Sequence, residues 1–347
     1  MRPGRTSLIF CLGVLSAFTL RVGVQSKIQP SFLFLPFEDA SGFTGGWEVG
    51  TEVPRFLSAY LKTRFGVLSI SPLLPMDVLK SQNRSPAALS DVKFWSELRR
   101  RLQPRYVVTG VVEEFNLNRF MTGEPSIGGY ESYSGSARVR YVIYDLSRSP
   151  DSAVPVSAAK DEASGEFSDR SLALTLFGKP SQRTVEFRDV AKIRFGSEDF
   201  NRTVIGQACF QLAENFAFQI EQYFPSLKSR SPVAPDSVQL SVDALDSNSI
   251  IFRSTVITGS VVFVEGKDVF INLGKEDGVR VGQRVVIYEE GEELRDPETS
   301  KVLGYSDRRI GLIEIIEVRG PHLSLGIARE GMVKITKKAR VRIHLFE

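Results

Sequence analysis

The sequence predicts an α/β domain with β-hairpin excursions, followed by a small all-β domain. Three observations lead there. First, Arg105–Phe115 reads RYVVTGVVEEF, and its near-continuous apolar run Tyr106–Val112, rich in β-branched residues, is a strand covered on both faces. Second, strand and helix patterns alternate before that run, and a long Gly/Ser/Tyr-rich stretch follows that a compact domain does not need for stability. Third, beyond a Pro/Ser-rich break at 225–236, short strands recur between Gly- and Pro-containing turns, as in a small sandwich or barrel.

Residues 1–26 read as a signal peptide. Arg2 and Arg5 precede the apolar run Leu8–Leu20, and Val24-Gln25-Ser26 offers small or tolerated residues to a signal peptidase. The run is shorter than the roughly 20 apolar residues of a spanning helix, and a retained anchor is the alternative. Cys11 lies inside the apolar run rather than at its end, so it is an ordinary small residue there. The chain is therefore expected to be exported. Removing 1–26, which holds three arginines and no acid, brings the formal net charge from +3 to 0. The mature chain then has no electrostatic footprint for nucleic acid, and with Cys209 alone it has no intrachain disulfide.

Residues 27–224 are expected to form the α/β domain. In Ser31–Phe37 (SFLFLPF), Phe32 and Phe34 point one way and Leu33 and Leu35 the other, and Pro36 ends the ladder. A Gly-rich loop leads to a helix near Thr51–Phe65, with Pro54 in its first turn. Val67–Ile70 is a short strand. Helices follow around Pro75–Ser81 and Ser90–Leu102, the second with Val92, Trp95, Leu98 and Leu102 inward and Arg99–Arg101 in the last turn, where cations complement the helix dipole. Asn116–Gly135 reads as a loop or loose hairpin tip. Ala137–Leu146 alternates as a half-exposed strand, paired with the segment through Phe167. A second hairpin is expected from Ser171–Phe177 and Thr184–Val190 around Gly178-Lys179-Pro180-Ser181. Ser197, followed by Glu198 and Asp199, caps a helix running to about Tyr223. Its stripe is Ile205, Ala208, Leu212, Phe216 and Ile220, with Cys209 beside it as inert core.

The all-β domain is expected over 237–347. Its strands are Val261–Val264, Val269–Leu273, Arg284–Tyr288, Ile310–Val318, Leu323–Ala328 and Arg340–Phe346.

Candidate chemistry is sparse: no catalytic, cofactor-binding or metal-binding residues are assigned, and no cofactor is expected. His322 and His344 have no metal-ligand partners at a recognised spacing and read as solvated surface. The adjacent acids Glu113 and Glu114 form no dyad by themselves, because neighbouring strand residues face opposite ways. One cluster stands out. Glu38 and Asp39 end the first strand and Glu113 and Glu114 end the central one, so parallel strands would bring these carboxylates to one rim, where α/β sheets bind ligands. The loop GGWEVG (residues 45–50) lacks both the GxGxxG spacing and the GK[ST] ending of a phosphate cradle.

Phe34-Leu35-Pro36-Phe37-Glu38-Asp39, the Gly-rich turn into a helix, and Tyr106-Val107-Val108-Thr109-Gly110 running to Glu114-Phe115 resemble the CsgG-like family, the curli secretion channel and its relatives. The amino-terminal domain of TolB shares the opening pattern. The second domain is similar to the carboxy-terminal module of flagellar assembly protein T, through Phe270-Ile271-Asn272-Leu273-Gly274, Asp277-Gly278-Val279, Val281-Gly282-Gln283-Arg284 and Asp296-Pro297-Glu298-Thr299 with Val302-Leu303-Gly304. These resemblances imply a non-enzymatic cell-envelope assembly or secretion component. It would be periplasmic or outer-membrane-associated, a homo-oligomer, and a partner of other envelope proteins. A true outer-membrane pore, with hairpins from Asn116–Val190 in a barrel, is one alternative. A soluble accessory of a flagellar-type ring is another, and a hydrolase using the Glu38/Glu114 rim is more remote. The chain departs from the channel in two ways: Arg138 and Arg140 lie on one phase of the expected spanning strand, and the lipidated cysteine is missing.

Overall fold

The computed structural model describes residues 30–122, 130–147, 156–171, 192–227, 250, 252 and, apart from 298 and 332, 254–346. The second hairpin expected at 171–190 falls almost wholly outside these residues, as does the Pro/Ser-rich break beyond Leu227.

The α/β body is built on β1 (Ser31–Phe34), which runs parallel to β3 (Leu68–Ile70) on one side and β4 (Tyr106–Thr122) on the other. A two-residue strand, β2 (Glu38–Asp39), adds to β4, also in parallel. The alternation in β1 works as expected. Phe32 and Phe34 enter one core with helix α1 (Val49–Phe65), while Leu33 and Leu35 enter the opposite core with α2 (Leu73–Ser81) and α3 (Val92–Leu102). Helix α1 begins two residues before the expected Thr51, so Pro54 sits in its second turn rather than its first. Proline has no N–H for the Gly50 carbonyl, and that carbonyl accepts instead from Phe37 at 2.8 Å.

Two long antiparallel strands, β5 (Tyr130–Asp145) and β6 (Val156–Ser171), extend the sheet in the order β3-β1-β4-β5-β6. Asn116–Gly135, expected as a loop or loose hairpin tip, is mostly strand in the antiparallel hairpin of β4 and β5, with 123–129 outside the described residues. The expected terminal helix is two helices, α4 (Glu198–Arg202) and α5 (Val204–Tyr223). Thr203 breaks them by adopting extended backbone, and its hydroxyl then caps α5 by accepting from Gly206 N–H at 3.0 Å. Ser197 caps α4 in the same way through Phe200.

Helix α5 lies flat on β5 and β6. Its stripe Ile205, Ala208, Leu212, Phe216 and Ile220 is fully buried against Ala137, Val139, Tyr141, Ile143, Ala159 and Ala163. The close approach explains two glycines. A Cβ at Gly135 would lie 2.7 Å from the Val204 carbonyl oxygen, and one at Gly165 would lie 2.0 Å from that of Ala208. The Gly/Ser-rich stretch is thus the seat of a helix.

The carboxy-terminal region is a closed antiparallel barrel in the order β12-β13-β8-β7-β14-β9. Its strands are β7 (Ser254–Glu265), β8 (Asp268–Ile271), β9 (Arg284–Glu289), β12 (Arg308–Gly320), β13 (Leu323–Glu330) and β14 (Arg340–Phe346). They correspond to the six expected strands. A small hairpin, β10 (Glu293–Arg295) with β11 (Val302–Tyr305), projects between β9 and β12. The barrel interior is a separate aliphatic core of Val261, Val269, Ile271, Val285, Ile287, Ile313, Ile315, Val341 and Ile343.

Candidate functional site

The carboxylates expected at the rim lie on neighbouring strands, and Asp39, Glu113 and Glu114 each have a side-chain partner. β2 and β4 are parallel, so Asp39 aligns with Val112, one residue from Glu113. Between Val112 and Glu114 the pairing with β5 shifts by one residue. This bulge sends Glu113 and Glu114 to the same face, contrary to the expectation for a regular strand, while Val112 and Phe115 on either side both enter the core. Each acid then meets its own arginine. Glu113 pairs with Arg140 at 2.9 Å and Glu114 with Arg138 at 3.1 Å. Glu114 also accepts from Ser136 at 2.5 Å and Asn116 at 3.2 Å, and Arg138 reaches across to Glu162 at 3.4 Å. The Ser136 hydrogen bond first, then those of Asn116 and the Arg138 charge, hold the Glu114 carboxyl below its usual range. Asp39 is tied to Ser41. Such a ladder is a charged sheet face of paired acids and arginines.

The loop at 45–50 positions an aromatic plug. Trp47 stacks on Phe43 and meets the rings of Phe115, Phe195 and Phe200 edge-on at 5.3–6.2 Å, with its indole N–H on the Ile193 carbonyl at 2.8 Å. Gly50 is required because Phe37 O lies 2.5 Å from where its Cβ would be. Cys209 is buried, and burial raises its thiol pKa, which suppresses the thiolate. His322 sits exposed on a barrel turn and hydrogen-bonds Asp277 at 2.9 Å, which raises the imidazole and lowers the carboxyl. His344 lies on β14, where its side chain is outside the described set.

Two features were not anticipated, and both are on α5. Gln211, Asn215 and Gln219 recur every four residues and face the outer edge of β6, which pairs with β5 alone among the described strands. The Glu166 N–H donates to Gln211 at 2.8 Å, while Asn215 and Gln219 donate to the carbonyls of Ser164 and Glu162 at 2.6 Å each. Tyr223 continues the row onto the Asp161 carboxylate at 2.9 Å. An amide at i, i+4 and i+8 beside an apolar stripe was the available signal.

The second feature is a charged seam between α5, α1 and the barrel. Glu221, nearly fully buried, meets Arg309 at 3.3 Å and Arg64 at 3.8 Å. Arg309 also reaches Glu330, which in turn accepts from Gln222. Arg284 stacks over Phe218 at 3.9 Å, and Arg280 donates to Gln207. A cavity of about 50 Å³ lies among Tyr60, Arg64, Glu214, Glu221, Arg284 and Arg342. Phe252, just before β7, is buried in the body core against Phe56, Tyr60 and Phe210, so the chain enters the barrel from a fixed point. These residues lie far apart in sequence, and no local pattern joins them.

No family model and no curated protein matches this sequence. Among solved structures, the chain is similar to a hypothetical protein, CT253, from Chlamydia trachomatis, at 15% identity and a TM-score of 0.34, over 56% of this chain and 97% of that one. It is also similar to lipoprotein GNA1162 from Neisseria meningitidis (10%, 0.27, 47% of this chain and 94% of that one). A third similarity is to a PelC dodecamer from Paraburkholderia phytofirmans (14%, 0.23, 47% and 85%).

Proposed function

We propose that this chain is a non-enzymatic, exported component of a cell-envelope assembly or secretion machine, periplasmic or outer-membrane-associated, acting through contacts with other envelope proteins and with further copies of itself. The reading keeps the CsgG-like and flagellar-assembly-protein-T-like resemblances of the two regions as its starting point. The observation that favours a protein-binding body over a pore wall is the packing of β5 and β6. Their apolar phase faces α5, and the opposite phase carries Arg138 paired with Glu114 and Glu162, and Arg140 paired with Glu113. A lipid-facing strand needs an apolar outward set, and a charged one is costly there. Glu113 and Glu114 are paired with arginines and Cys209 is buried, which supports action by binding.

The test is extraction of the exported chain from envelope fractions. Release by salt or carbonate, with cross-linking into discrete multimers, is the expected result. Heat-modifiable rings that need detergent would replace this reading with the pore. Alanine at both Glu38 and Glu114 that removed a hydrolytic activity would replace it with the enzyme.

A further inference from the structure

We propose that the β10–β11 hairpin is a self-association surface, its β10 edge pairing antiparallel with the same edge of a second copy, centred on Leu294. The inference rests on the self-association in the reading above and names a surface for it. Three observations carry it. First, the hairpin is a sheet of its own, joined to no barrel strand among the described residues. Two strands alone are marginally stable in water, and an open edge presents unpaired N–H and C=O groups to another chain. The edge of β6, by contrast, is taken by the amides of α5. The hairpin is nonetheless ordered by its loop. Asp296 accepts from the Thr299 N–H at 2.8 Å, its carbonyl accepts from Ser300 at 2.9 Å, and Arg295 donates to the Ser300 carbonyl at 3.2 Å.

Second, β10 offers a regular edge. At its base the Ser306 N–H donates to the Glu292 carbonyl, and at its tip the Asp296 N–H donates to the Lys301 carbonyl, both at 2.8 Å. Backbone groups alternate along a strand, so Glu292, Leu294 and Asp296 bond inward to β11, while Glu293 and Arg295 turn their N–H and C=O outward. The register shift places the extra residue, Leu303, on β11, and such a bulge spoils that strand's own edge for pairing.

Third, the β10 edge complements itself. A two-fold axis at Leu294 sets Glu293 opposite Arg295 of the second copy and Arg295 opposite its Glu293. The outward backbone groups of these residues then exchange hydrogen bonds. The two leucines, each 50% exposed in the single chain, meet in the non-hydrogen-bonded pair, where side chains approach most closely. Glu293 and Arg295 already share one face of β10 at 2.9 Å, so the second copy completes an alternating square of four charges. The next pair outward sets Glu292 opposite Asp296, like charges, which confines the pairing to three residues.

A contact this small is weak on its own, so the test is sedimentation of the concentrated full chain carrying Cys11→Ser. Glu293→Arg and Arg295→Glu each set like charges opposite at both ends of the two-fold and are expected to weaken self-association about tenfold. Mixing the two variants brings an edge with two arginines against one with two glutamates, and association should return as a mixed dimer. Both changes in one chain should leave it at the parent strength. Single variants that associate like the parent, or a mixture no stronger than its parts, overturn the proposal. On oxidation Leu294→Cys should give a disulfide-linked dimer, while Val302→Cys, 47% exposed on the other strand, should not. Equal cross-linking of the two, or none at 294, also overturns it. Association undiminished in both single variants removes this surface alone and leaves the envelope reading standing, whereas failure of that reading shows in the extraction test.

Discussion

Gly165→Ala tests the placement of α5 directly. The new methyl would lie 2.0 Å from the Ala208 carbonyl oxygen and 2.3 Å from the Leu212 nitrogen, where ordinary contacts begin near 3.4 Å. Both obstacles are helix backbone, so no side chain can swing aside. The helix must retreat by about 1 Å or the strand must buckle. Overpacking of this kind costs about 1–3 kcal/mol. Retreat also stretches the bonds from Gln211 and Asn215 to the β6 edge, at about 1 kcal/mol each. The combined loss is about 4 kcal/mol, a fall of roughly 8–15 °C in Tm for a body of this size. Urea unfolding measures it as a lower midpoint at unchanged slope. Ser164→Ala, on the exposed face one residue away, should stay within about 0.5 kcal/mol. If Gly165→Ala unfolds within 1 kcal/mol of the parent, α5 does not lie on β6, and the case for a globular body rather than projecting hairpins fails with it.

Three further outcomes are expected. Replacing Gln211, Asn215 and Gln219 together by alanine should cost about 2–3 kcal/mol and speed hydrogen exchange at the Glu166 amide, measured in the native state. The Cys209 thiol should resist a disulfide reagent at pH 8 until denaturant unfolds the body, and prompt native reaction would contradict its burial. His322 should titrate above its ordinary 6.5 by NMR and return toward it in Asp277→Asn. Because that value is raised in the fold, the pairing is fully present below 6.5 and is lost as pH climbs through the folded value.

Much of the fold was legible because burial leaves a period in the sequence. Phe32/Phe34 against Leu33/Leu35 told of two cores, and the six barrel strands showed between their turns. What escaped was set by backbone approach. Gly135 and Gly165 sit in a polar-looking stretch because a helix covers them, and glycine signals a loop and a close contact alike. The bulge was written in VVEEF: two core residues three apart break the two-residue period, yet either acid could be the extra one. Pro54 misplaced the start of α1 because an outside donor, Phe37, satisfies the carbonyl that proline abandons. The seam joins α1, α5 and four barrel strands, and spacing along the chain cannot announce such a meeting.

Helix α5 makes these separate facts one. One side of it buries Ile205, Ala208, Leu212, Phe216 and Ile220 on the sheet, a flank carries the amides, and the far side bears Gln207, Glu214, Phe218 and Glu221 toward the barrel. The amide row works because four helical residues advance about 6 Å while two strand residues advance about 6.6 Å. The two ladders stay nearly in step through Gln211, Asn215 and Gln219. By the next repeat the helix lags by about 2 Å, and Tyr223 accordingly finds the side chain of Asp161 rather than a backbone carbonyl. A free strand edge invites another strand to add, and from Glu162 to Glu166 this one is occupied by the protein's own helix. Any strand that pairs with this edge must displace that row, so the cost of opening the edge is the cost of lifting α5.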